Sequence, residues 1–250
     1  MNKYLLTALA MAMGLSVHAQ ISFQKVIKIG LKAGVNVSTF TKDVERFDPH
    51  IPGDYGNFDN YVNVSGLGGI TLDYNISERL SLGAELQYSG KGSAYWEENN
   101  DVVVYDDEGN ETQAHNFFYF DIDYVELPLM INYNVLPSNS KVWLKIYGGV
   151  SRGVAVRKKT KMTYPKVKGY RVAGDAGKAE LRDVRNFNTS VIGGLKVGGK
   201  KLHGFGTLVP FADLRGSYTL SPVFNRSTTP YGENLNTRMF TLSVAIGVQF

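Results

Sequence analysis

Apolar and polar residues alternate with a period of two along most of the chain, and the last eleven residues show this pattern most clearly. There, small or polar residues separate Phe240, Leu242, Val244, Ile246, Val248 and Phe250. Residues 27–38 repeat the pattern near the beginning, where Ile27, Ile29, Leu31 and Val35 all lie at odd-numbered positions. Because successive side chains of a strand point to opposite faces, each run predicts a β-strand with one apolar face.

Six further alternating runs lie between these two, at residues 61–74, 80–94, 117–135, 141–156, 185–198 and 205–220. Strands of soluble proteins usually have about 5–6 residues, whereas a tilted strand that crosses a bilayer needs about 9–11. The lengths therefore favour membrane-crossing strands. In the run at residues 117–135, the apolar positions change from even to odd numbers between Phe120 and Val125. We expect a β-bulge near Asp123 that turns both halves of this run outward.

The links between the runs alternate in length. Residues 75–79, 136–140 and 199–204 form short links, and residues 41–60, 95–116, 157–184 and 221–236 form long ones. Outer-membrane barrels have short periplasmic turns and longer external loops. The sequence therefore predicts an all-β fold, an eight-stranded antiparallel up-and-down transmembrane β-barrel with both termini periplasmic. A soluble lipocalin-like barrel is the rival fold, and it would need an apolar interior.

The first nineteen residues have the pattern of a secretory signal peptide. Met1-Asn2-Lys3 gives a positive start, residues 4–15 are largely apolar, and Val17-His18-Ala19 fits a cleavage site. The apolar run is shorter than the roughly 20 residues of a membrane-spanning helix. We expect residues 1–19 to be removed, residues 20–250 to form the barrel domain, and the mature protein to lie in the cell outer membrane.

The polar face of the predicted strands carries charges of both signs at mid-strand positions: Lys32, Asp73, Glu85, Glu126, Lys145, Lys196, Asp213 and Arg215. Soluble proteins rarely point such residues into a core. The interior of an eight-stranded barrel is just wide enough for side chains to fill it. We therefore predict that these charges pair inside a packed lumen, with a narrow ion path as the alternative.

Two of the predicted external loops differ in charge. Residues 97–111 contain seven carboxylates and no Lys or Arg, while residues 157–182 are mainly basic. The two loops could pair across the barrel mouth, the acidic loop could bind a hard cation, or the basic loop could contact lipopolysaccharide phosphates. The acidic run lacks the ligand spacing of an EF-hand, and like-charged runs are usually solvated. No metal or cofactor is therefore predicted.

Enzymatic chemistry has little support in the sequence. The chain has no cysteine, and beyond the predicted signal peptide its only histidines are His50, His115 and His203. None of the common hydrolase, zinc-protease or phosphate-binding motifs is present. The basic residues do not form one stripe along the strands, which argues against a nucleic-acid partner. We predict a protein that is not an enzyme.

Three stretches resemble a known family: GLKAGVNVSTF at 30–40, YVELPLMINY at 124–133 and YGGVSRGVAV at 147–156. They are similar to the outer-membrane β-barrel domain family of Bacteroidetes, also labelled porin family or PorT-like. The resemblance implies an outer-membrane barrel of about this size, and PorT itself is linked to type IX secretion. The terminal run that ends at Phe250 resembles the signal read by the barrel-assembly machinery.

These observations together predict a small outer-membrane protein with a structural or loop-mediated binding role. The alternatives are a narrow porin for ions or small solutes and an accessory component of type IX protein secretion. The expected partners are outer-membrane lipid and lipopolysaccharide, the barrel-assembly machinery, and surface or secretion-system proteins.

Overall fold

The computed structural model describes residues 27–41, 59–105, 108–137, 140–163, 179–180, 183–199, 208–225 and 236–250. The predicted signal peptide lies outside these residues. The strands are β1 (Ile27–Phe40), β2 (Asp59–Tyr61), β3 (Asn63–Asn75), β4 (Leu80–Tyr105), β5 (Glu111–Asn134), β6 (Trp143–Thr163), β7 (Ala179–Glu180), β8 (Phe187–Gly198), β9 (Val209–Thr219) and β10 (Met239–Gln249). Across these ranges, no helix is long and apolar enough to cross a membrane.

Eight long strands form a closed ring. The order β4, β3, β1, β10, β9, β8, β6, β5 is completed by pairing of β4 with β5, and every pair is antiparallel. The short strands β2 and β7 add to β4 and β6. The prediction of an eight-stranded antiparallel barrel is confirmed. We call the end with the β3–β4, β5–β6 and β8–β9 links the short-turn end, and the opposite end the long-loop end.

The outer wall of the barrel is apolar. Side chains at alternate positions point outward, and they include Leu31 at 51% exposure and Ile246 at 72%. Apolar surface in water costs about 25 cal/mol per Å², so a continuous band of such residues fits a hydrocarbon solvent. The inward positions between them are buried and mostly polar. This is the reverse of a soluble barrel, and it follows directly from the sequence alternation.

Three neighbouring strands are much longer than the others. β4, β5 and β6 have 26, 24 and 21 residues, whereas β1, β3, β8, β9 and β10 have 11 to 14. The additional residues lie at the long-loop end, and we call residues 95–105, 111–123 and 157–163 the extended sheet. The prediction that 95–116 and 157–184 are loops throughout is therefore wrong. Above the lipid band neither face must be apolar, so alternation no longer marks the strand, while backbone pairing continues.

The predicted bulge lies next to Asp123, but its additional residue belongs to another strand. Asp123 pairs with Arg157 and Tyr124 with Ala155, which leaves Val156 of β6 without a partner in β5. β5 itself keeps one parity throughout. Phe118, Phe120 and Ile122 consequently point inward and are at most 5% exposed. The expectation that they face outward was wrong.

Candidate functional site

The structure places all eight predicted interior charges inside the barrel. None of them is more than 8% exposed, and the set comprises Lys32, Asp73, Glu85, Glu126, Lys145, Lys196, Asp213 and Arg215. They come from β1, β3, β4, β5, β6, β8 and β9. Because each lies on the polar face of its strand, the period-two backbone is what directs all of them toward the barrel axis.

Glu85 is the centre of the main network. Its carboxylate lies 2.8 Å from Lys32 Nζ, 2.9 Å from Lys196 Nζ and 2.8 Å from Arg215 Nη2. The Glu85 side chain has no exposed surface. These contacts join β4 to strands across the lumen, so one carboxylate holds together walls that share no backbone hydrogen bonds. A buried ion pair of this kind needs complete hydrogen bonding to be stable.

Asp213 is the second acceptor of the network. It accepts from Lys32 at 3.0 Å, from Arg215 at 3.2 Å and from the Tyr147 hydroxyl at 2.6 Å. Arg215 Nε in turn donates to the Tyr147 oxygen at 2.9 Å. Tyr147 was not among the sequence-predicted interior residues. Its position two residues after Lys145 places it on the inward face, but an aromatic residue gives no signal that separates lumen from lipid.

Glu126 forms a separate pair nearer the long-loop end. It accepts from Lys91 Nζ at 2.5 Å and from Gln87 Nε2 at 2.9 Å. Lys91 is 4% exposed and was also missed by sequence reasoning. It has the same parity as Glu85, which indicates the interior, but the flanking glycines at 90 and 92 obscure the alternation there.

Asp73 organises the short-turn end of the lumen. It accepts from Lys145 Nζ at 3.2 Å, from Asn132 Nδ2 at 3.1 Å and from Gln249 Nε2 at 2.9 Å. The Trp143 and Phe211 rings, near the starts of β6 and β9, have their centroids 6.4 Å apart. Paired charges therefore lie both in the middle of the lumen and toward its short-turn end.

An apolar cluster closes the other end of the lumen. The Phe120 ring lies 6.0 Å from that of Phe40 and 5.6 Å from that of Tyr95. We call this cluster the apolar plug, and its buried members are Phe40, Tyr95, Phe118, Phe120, Ile122, Tyr124, Val184, Val223, Phe224 and Met239. The sequence analysis did not predict it, because apolar residues were assigned to the lipid face.

The described residues contain no group of three or more His, Cys, Asp or Glu side chains that could hold a metal ion. His115 lies in β5 rather than in a loop, and its ring packs against that of Trp96 at 4.6 Å. His50 and His203 lie outside the described residues. The four buried carboxylates of the lumen each accept from a cation, which is what a filled interior requires.

Comparison with solved structures finds other outer-membrane barrels. The attachment invasion locus protein Ail of Yersinia pestis has 11% identity, with 89% of this chain and 98% of Ail covered and a TM-score of 0.36. Neisserial surface protein A has 14% identity, 89% and 97% coverage and a TM-score of 0.35. The protease OmpT of Escherichia coli has 9% identity, 90% and 96% coverage and a TM-score of 0.34. No curated protein sequence matches.

Similarity at this level carries no argument about activity, and the neighbours include a protease as well as surface proteins. The family comparison is more informative. A family model described as "Outer membrane protein beta-barrel domain" matches residues 18–225, most of the chain. With its lipid-type outer wall and closed eight-stranded ring, the chain belongs to this family of outer-membrane β-barrel proteins.

Proposed function

We propose that the protein is a closed, non-conducting outer-membrane barrel that acts through the surface it presents at its long-loop end. The observation that carries this proposal is the filled lumen. The apolar plug covers the long-loop end, and below it the networks of Glu126, Glu85 and Asp73 follow in turn. An ion would have to break paired charges and then cross an apolar layer, and both steps are costly.

The extended sheet is the part of the barrel best suited to contact a ligand. Its outer face carries the Phe117 and Tyr119 rings, stacked with centroids 6.4 Å apart, and Lys161 Nζ lies 5.8 Å from the Tyr119 ring. Close by, Arg157 Nε lies 2.6 Å from Asp123 Oδ2. Aromatic residues and arginine are enriched in protein interfaces. This composition supports a binding role for the sheet.

Single-channel recording in planar bilayers tests whether the lumen conducts. The wild-type barrel, shown to be folded by its mobility shift on heating in SDS, is expected to give no conductance steps. A triple variant, Phe120→Ala with Glu85→Ala and Arg215→Ala, removes one ring of the plug and one charge of each sign, and it serves as the comparison once its own mobility shift shows that it folds. Stable conductance steps from the folded wild-type protein would replace this proposal with a narrow porin.

The orientation of the barrel is part of the same proposal. We place the short-turn end in the periplasm and the extended sheet outside, with lipopolysaccharide around the outer wall. An epitope inserted after Gly109, in the turn between β4 and β5, is expected to bind antibody on intact cells. The same epitope inserted in the β5–β6 link is expected to bind only after the outer membrane is permeabilised. The reverse pattern of antibody binding would show that the short-turn end faces outside and would contradict the proposed orientation.

Export and assembly stay predictions of the sequence. Cleavage after Ala19 would be checked by the N-terminal sequence of the mature protein. The proposed assembly signal would be checked by replacing Phe250 with alanine and measuring the folded fraction in the outer membrane. A role in type IX secretion would require co-purification with secretion components, and no described contact favours it over the binding role.

A further inference from the structure

A polar cavity opens at the short-turn end of the barrel. It has a volume of about 400 Å³, within the range of small-molecule sites. Five strands and the β3–β4 turn meet around it, and its lining includes Lys28, Glu78, Arg79, Ser81, Trp143 and Lys145. This cavity is distinct from the central network, because Lys145 is the only one of its lining residues that takes part in the described ion pairs of the lumen.

The lining of this cavity is positively charged. It contains the cations Lys28, Arg79 and Lys145 against one carboxylate, Glu78. Lys145 is 8% exposed and its one carboxylate partner is the buried Asp73 at 3.2 Å. Lys28, at the mouth, has no ion pair within the described part of the chain, and its ammonium group and that of Lys145 repel each other. An anion between the two would relieve this repulsion.

The third cation is also available to an anion. The Arg79 guanidinium donates to the Tyr133 hydroxyl at 3.3 Å, which uses one of its five N–H donors. Lys145 Nζ donates to Ser81 Oγ at 3.3 Å and lies 5.3 Å from the Trp143 ring. The lining of the cavity thus combines three cationic side chains with one aromatic ring. Phosphate groups are recognised by such sets of arginine and lysine donors.

We propose that this cavity is an anion-binding site that holds a phosphate group between Lys28, Arg79 and Lys145. The phosphate could belong to a free ion or small ester in the periplasm, or to the headgroup of a phospholipid in the adjacent leaflet. Both sources present negatively charged phosphate oxygens to the three cations. The site requires only the folded barrel, so it stands or falls independently of conductance and of the extended sheet.

Tryptophan fluorescence offers a direct assay, because the chain has two tryptophans and one of them, Trp143, lines the cavity. Trp96→Phe leaves Trp143 as the sole reporter. In a non-ionic detergent at constant ionic strength, titration with inorganic phosphate is expected to change its emission saturably. Lys28→Gln should weaken binding about fivefold, the effect of about 1 kcal/mol for one exposed charge contact. Glu78→Gln should strengthen binding, because it removes the opposing charge.

Lys141→Gln is the matched control. Lys141 is exposed in the β5–β6 link, two residues before Trp143, but it does not line the cavity. A heat-dependent mobility shift in SDS shows that each variant is folded. Saturable binding of phosphate or glycerol phosphate supports a free ligand. A response to phosphatidylglycerol nanodiscs but not to phosphatidylcholine nanodiscs, lost in Lys28→Gln, supports a headgroup. No saturable response to any of these probes, or equal weakening by Lys28→Gln and Lys141→Gln, would overturn the proposal.

Discussion

Replacing Glu85 with glutamine tests whether paired charges hold the lumen together. Lys32 and Arg215 also contact Asp213, at 3.0 and 3.2 Å, so each keeps a carboxylate in the variant. Lys196 does not, because Glu85 is its only carboxylate partner within the described residues. The substitution therefore leaves the ammonium group of Lys196, whose side chain is 3% exposed, without an ion-pair partner within the described residues.

The size of the effect follows from that orphaned charge. Removing one partner of a buried ion pair typically costs about 3–5 kcal/mol, and we expect Glu85→Gln to lower the free energy of unfolding by that amount. Lys196→Met alone should cost about 1.5–3 kcal/mol, the value of one charged hydrogen bond, because Glu85 keeps two cations. The double variant should be no less stable than Glu85→Gln alone, because the side chain at position 196 then has no charge that could lose its partner. The two substitutions would then be coupled by at least about 1.5 kcal/mol, the cost of Lys196→Met in the wild-type background.

The measurement is urea unfolding of the four proteins in lipid vesicles, followed by the heat-dependent gel shift under conditions where refolding is reversible. Glu111→Gln is the matched control, because Glu111 lies exposed in the extended sheet and accepts only from Tyr105 at 3.1 Å among the described contacts. Its urea midpoint should equal that of the wild type. Additive effects of the Glu85 and Lys196 substitutions would show that the network is not stabilised by charge pairing.

Three further predictions test other parts of the structure by the same unfolding assay. Leu129→Arg, on the lipid face, should cost about 2–4 kcal/mol, whereas Val103→Arg, on the extended sheet, should leave stability unchanged; equal costs would place both residues in lipid. Phe120→Ala should cost about 3–5 kcal/mol because a 1% exposed plug residue leaves a cavity, and a near-zero cost would mean that the plug is loosely packed. Gly198→Ala should cost about 1–3 kcal/mol, because an added Cβ would overlap the Trp143 ring, and the wild-type midpoint would contradict that contact.

Within the lipid band, the sequence was sufficient to predict both faces of each strand. Leu31 and Ile246 are exposed and Lys32 is buried, as their parity requires. The reason is physical: lipid accepts only apolar side chains outside, so the polar positions must turn inward. The same constraint requires the ring of strands to close, because an unpaired edge cannot exist in the hydrocarbon.

Outside the lipid band this constraint is absent, and there sequence reasoning failed. Residues 95–105, 111–116 and 157–163 were predicted to be loops, because outside the lipid band alternation of apolar and polar residues is not required of a strand. Phe118 and Phe120 were assigned to the outside, because an apolar side chain fits lipid and a covered lumen equally well. Their inward position depends on β5 keeping its parity while Val156 of β6 absorbs the register shift. Backbone pairing between two strands decides that, and a single strand's pattern does not contain it.

The pairing of the interior charges was also decided only by the tertiary structure. The sequence by itself determined that four cations and four anions at mid-strand positions face inward, because each parity is fixed by its own strand. Which carboxylate meets which cation depends on the stagger of strands across the lumen. That stagger brings Glu85 of β4 to Lys196 of β8, 111 residues away. It also brings Lys28 and Lys145 together in the lining of the cavity at the short-turn end, a relation between strands that no single run of residues specifies.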